Sequence, residues 1–172
     1  MADVNLDNKV TLKNQKKKFI ALLPGSKKAK LSVGIPFFLE MADHIAEIDK
    51  NINFIIPVAP TTNKSEYLFF QSKKNPISNY YSSKIKTIKD LKNPIFDHVI
   101  KTSNNTKIYL INKHPCHEIL KECDLAVTTV GANTAELAAI AMPMIVILPT
   151  QHLSVMNAWD GIFGIIGKIS FF

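Results

Sequence analysis

The stretch Phe19-Ile20-Ala21-Leu22-Leu23-Pro24-Gly25-Ser26 decides the fold. An unbroken apolar run stopped by Pro-Gly reads as a strand buried on both faces, because a half-buried strand would alternate apolar with polar residues. Beyond the turn, Phe37, Phe38, Met41, Ile45 and Ile48 recur at helical spacing, with Ser32 as the expected N-cap and Pro36 in the first turn. That pattern predicts a helix over 32–48. Strand, glycine turn and helix, in that order, open a βαβ unit.

Short apolar runs at 52–58, 107–111, 125–129 and 144–148 predict four more strands. Helices are expected at 65–71, at 115–122 with Pro115 in its first turn, and at 132–141. Between them, 72–106 is rich in Lys, Asn and Ser and broken by Pro76 and Pro94, which predicts an irregular surface insertion carrying a short helix or a strand pair. The alternation implies an α/β fold, a doubly wound parallel sheet with helices on both faces. Residues 1–17, polar and without period, read as a flexible leader or linker, 18–152 as the domain, and 153–172 as an incomplete apolar C-terminal element.

At 172 residues the chain suits one domain. Its net charge of +7 is uneven: 1–59 carries nine Lys against six acids, 60–113 ten against three, and 114–172 two against five. All 21 basic residues are lysine, so no planar guanidinium can grip phosphate or a base edge, and a nucleic-acid partner is disfavoured. Cys116 and Cys123 are poorly spaced for a short bridge and read as reduced thiols of a cytoplasmic protein. No secretory signal is legible, and Asp160, Lys168 and three glycines argue against a membrane-spanning helix at 153–172.

In parallel sheets of this kind ligands gather beyond the carboxyl ends of the strands. Gly25, Ser26, Pro60, His114, Gly131 and Gln151 are expected on that rim, with His152 beside them. Two glycine turns there each open a helix, whose first N–H groups and partial positive charge suit a phosphate. The first offers Gly25, Ser26, Lys27 and Lys28; the second is Gly131-Ala132-Asn133-Thr134-Ala135-Glu136, where Thr134 supplies a hydroxyl and Glu136 an acceptor for two ribose hydroxyls or a partner for the helix dipole. Neither turn carries the glycines of a dinucleotide fingerprint or the Gly-Lys-Ser/Thr of a P-loop. His114, Cys116, His117 and Cys123 match no zinc spacing, so no metal is expected, and no nucleophile elbow or carboxylate pair identifies a catalytic residue.

With Leu22-Leu23-Pro24-Gly25-Ser26-Lys27 and Gly131-x-x-Thr134-x-Glu136 leading to Met142-Pro143-Met144-Ile145-Val146, the chain resembles, over about 18–150, the carboxyl-terminal, Rossmann-like nucleotide-binding half of GT-B glycosyltransferases. The similarity is strongest to lipid A disaccharide synthase and its relatives. The resemblance implies a UDP-sugar as donor substrate and no other cofactor. Gly25, Ser26 and Lys27 would lie near the diphosphate, Gly131, Ala132, Asn133 and Thr134 would contact it, and Glu136 would hold the ribose. It also implies a hexosyl or N-acetylglucosaminyl transferase acting on a membrane-associated acceptor, with peripheral attachment to the inner face of a membrane. An acceptor-binding domain would then lie upstream, and the isolated chain would be inactive. Lys27 stands where these enzymes carry arginine, which removes a bidentate grip on phosphate. A nucleotide-sugar 2-epimerase-like domain and a non-enzymatic interaction module on the same fold are the alternatives.

Overall fold

The run at 19–23 forms an interior strand, the middle one of five parallel strands, in the seven-stranded sheet of the computed structural model, which describes residue 12 and residues 17–149. In chain order the elements are β1 (Lys18–Leu23), α1 (Lys28–Ile48), β2 (Ile52–Pro57), α2 (Lys64–Phe70), a 3-10 turn at Pro76–Tyr80, β3 (Ile85–Asp90) and β4 (His98–Thr102). There follow β5 (Lys107–Ile111), α3 (His117–Leu120), β6 (Leu125–Thr129), α4 (Ala132–Ala139) and β7 (Met144–Ile147). The strand order is β3-β4-β5-β2-β1-β6-β7. Strands β5, β2, β1, β6 and β7 are mutually parallel, while β4 and β3 extend the sheet antiparallel beyond β5.

The domain is α/β and Rossmann-like: from β1 the chain lays β2 beside it, runs out to the β3 edge and works back through β4 to β5, then crosses to lay β6 and β7 on the other side of β1. Alternate residues of each strand feed two cores. Ile20, Leu22, Phe54, Ile56 and Ile108 pack under α1 and α2, against Leu31, Phe38, Leu39 and Tyr67. Phe19, Ala21, Leu23, Ile55 and Ala126 face the other way, against Leu120 and Leu137 of α3 and α4. Leu12, within the expected leader, is fully buried in this second core and donates its N–H to the Glu122 carboxylate.

Three expectations need correction. Helix α1 begins at Lys28, ahead of Ser32: Lys27, with extended backbone (φ −84°, ψ 142°), is its N-cap, and the Ser32 hydroxyl donates to the Ala29 carbonyl at 2.8 Å from inside the helix. Pro115 precedes α3, which is confined to His117–Leu120 and follows a cis His114–Pro115 bond. The insertion at 72–106 carries the short helical element and strand pair anticipated within it, but is more regular than expected. It holds the 3-10 turn and the β3–β4 pair, pinned by Asn75, whose amide donates to the Ser32 and Phe70 carbonyls at 2.8 and 2.7 Å. Thr102 pins the pair again, donating its hydroxyl to the buried Asp43 of α1 at 2.6 Å and accepting from the Thr106 N–H at 3.1 Å. The element expected at 153–172, with Gln151 and His152, lies outside the described residues, as do 1–11 and 13–16. Among the described residues no helix is long and apolar enough to cross a membrane.

Helix α1 is seated on the turn after β1 through Gly34, where an added Cβ would lie 2.8 Å from Pro24 Cβ and 3.1 Å from its Cα. Pro24 is buried and cannot yield without moving the turn. Gly34→Ala is therefore expected to lower the urea midpoint, overpacking of about 1–3 kcal/mol outweighing a helix-propensity gain of about 1 kcal/mol. An unchanged or raised midpoint would show that the seat is loose.

Candidate functional site

Strands β1 and β6 are neighbours in parallel register, Leu23 beside Thr128, so both glycine turns emerge side by side where the strand order reverses. Gly25 takes φ +94° and Gly131 φ +152°, conformations that L side chains rarely adopt. Neither following helix is capped by a side chain, and neither has an acid in its first turn. Two partial positive charges therefore converge on one rim.

Lys30, on the first turn of α1, links them. Its alkyl chain crosses Gly25, where a Cβ would sit 3.0 Å from Lys30 Cδ, and its ammonium donates to the Val130 carbonyl at 2.9 Å. A Cβ on Gly131 would come within 2.6 Å of Nζ. Each glycine thus opens the path that Lys30 follows. Burial lowers the Lys30 pKa from its usual 10.5, and the charge of nearby Lys27 lowers it further.

Two hollows meet at these turns. The larger, about 430 Å³, has apolar walls from Leu23, Pro57, Ala59, Pro60 and Pro115 and holds His114, His117 and Glu136. The other, about 300 Å³, is lined by Lys27, Lys30 and the backbone of 129–131. Gly25, Ser26, Ala132 and Asn133 border both. Ligand cavities of small molecules fall in this size range.

The structure thus brings together Gly25, Ser26, Lys27, Gly131, Ala132, Asn133 and Glu136, with Pro60 and His114 from the expected rim. Thr134 lines neither hollow, and its hydroxyl and N–H both donate to the Gly131 carbonyl, at 2.6 and 3.0 Å, closing the helix start. Glu136 lies beyond the first turn of α4, so it does not serve that helix end, and among the described residues no hydrogen bond engages its exposed carboxylate. Lys28 borders neither hollow, whereas Lys30, three residues from Lys27 and hence on the same helical face, borders the basic one. His114 donates from Nε2 to the Val58 carbonyl, which leaves Nδ1 as the acceptor when the ring is neutral.

Among the described residues no group of three or more His, Cys, Asp or Glu is arranged to hold a metal. No family model and no curated protein matches the chain.

Cys116 borders the larger hollow and Cys123 lies in the core behind it, both unpaired. Burial raises both thiols, Cys123 from 9.0 to about 12. A three-unit rise cuts the thiolate fraction about a thousandfold. Cys123 should therefore react with an aromatic disulfide reagent orders of magnitude more slowly in the native protein than in urea, and Cys116, raised in the same direction, more slowly as well. Rapid native labelling would contradict their burial.

Proposed function

We propose that this domain binds the nucleoside diphosphate of a sugar donor, UDP by the resemblance above, as the donor-binding half of a hexosyl or N-acetylglucosaminyl transferase. One observation carries the reading: the Lys30 ammonium lies between two uncapped helix starts, at the seam of an apolar hollow and a basic one. A phosphate at that seam would meet backbone N–H groups of both turns and the ammonium groups of Lys27 and Lys30. The apolar walls of the larger hollow suit a flat base, and Glu136 accepts from ribose hydroxyls there. Cationic charge placed where a diphosphate departs would favour transfer by stabilising the leaving group. The acceptor site and the base for the attacking hydroxyl would come from a further domain, and the acceptor is a membrane-associated molecule in this reading.

Calorimetric titration with UDP and with uridine separates the two hollows. Lys30→Met fills the same path without charge, and removing a charge-assisted hydrogen bond weakens UDP about tenfold or more while leaving uridine nearly unchanged. Glu136→Ala weakens both alike. Absence of heat with any nucleotide would contradict the donor reading and favour the interaction module.

A further inference from the structure

Strands β3 and β4 have one face under α1, and on the opposite face, with the start of β5, lies a hollow that no described helix residue lines. Alternation along the strands places Ile85, Ile88, Ile100 and Ile108 on the covered face. The opposite face holds a shallow hollow of about 310 Å³ bordered by Lys86, Thr87, Lys89, Val99, Lys101 and Lys107. No acid borders it, and among the described residues none of its lysines forms an ion pair. The register sets Lys101 directly opposite Lys107, a like-charge pair that weakens a sheet. Lys107 also borders a second hollow of about 300 Å³ at the amino ends of the strands, where Lys17 and Lys50 join it and again no acid is present. Six lysines from five segments of the chain therefore form a continuous basic corner.

We propose that this corner is a docking surface for an anionic phospholipid bilayer. Lysine side chains are long enough to reach one plane from either side of a convex corner, and a bilayer needs only point charges, each adding about fivefold in affinity. A nucleic acid is less well matched. The chain has no arginine for base edges or stacking, and Tyr109, the aromatic residue on this face, is already stacked on Phe96 at 4.5 Å. The corner lies at the opposite end of the strands from the glycine turns, so the inference does not depend on the ligand proposed for them.

The test is sedimentation of the full chain with phosphatidylcholine vesicles, with and without phosphatidylglycerol. Binding is expected only with phosphatidylglycerol and should fall as salt rises. Lys86→Gln, Lys89→Gln, Lys101→Gln and Lys107→Gln together should weaken it several-hundredfold. A control of equal charge change, Lys73→Gln, Lys74→Gln, Lys92→Gln and Lys121→Gln, should retain most of it, with circular dichroism checking the fold of both variants. Equal losses in the two variants would reduce the effect to net charge and overturn the proposal. So would failure of the parent protein to bind, or binding of single-stranded RNA but not vesicles that is lost in the first variant.

Discussion

The contact between the Lys30 ammonium and the Val130 carbonyl ties the two halves of the sheet at the carboxyl ends of β1 and β6. It crosses from the helix after β1 to the turn after β6, strands whose helices belong to successive passes of the chain. Its path exists because Gly25 and Gly131 lack side chains, and α1 carries the lysine to the right depth because Gly34 lets it rest on Pro24. The arrangement is electrostatically costly. A half-buried cation sits where two helix starts already bring partial positive charge, and neither helix places an acid in its first turn. An anion at this seam would relieve like-charge crowding as well as form its own hydrogen bonds. The same physics would favour an anion there over a cation or a neutral group.

Much of the fold was legible because its inner parallel strands are buried on both faces. Runs such as 19–23 and 125–129 have no polar alternation, and each ends in turn residues. Strands β3 and β4 were harder to read because only one of their faces is covered, so Ile85 and Ile88 stand among lysines that resemble a solvated loop. The start of α1 was misplaced because Ser32 is a strong capping residue by type. In the structure Lys27 caps through backbone conformation alone, which no residue type announces.

The site divides in the same way. Glycines after apolar runs are visible in sequence, and Gly25 and Gly131 are where they were expected. Lys30 was hidden because it is one of 21 lysines, and only the true start of α1 shows that it shares a face with Lys27. Thr134 is a different case: a hydroxyl in a first turn suits a phosphate, and in the structure it closes on the Gly131 carbonyl. Burial of cysteine, rather than its spacing, is what raises the Cys116 and Cys123 thiols beside the cleft.

The most direct test of the seam is a titration of UDP into nitrogen-15-labelled protein, followed through backbone amide resonances. The amides of Gly25, Ser26, Gly131, Ala132 and Asn133 should shift together and saturably, while those of β3 and β4 stay fixed. Shifts confined to the lysine-rich sheet face, or none at the two glycine turns, would contradict the account.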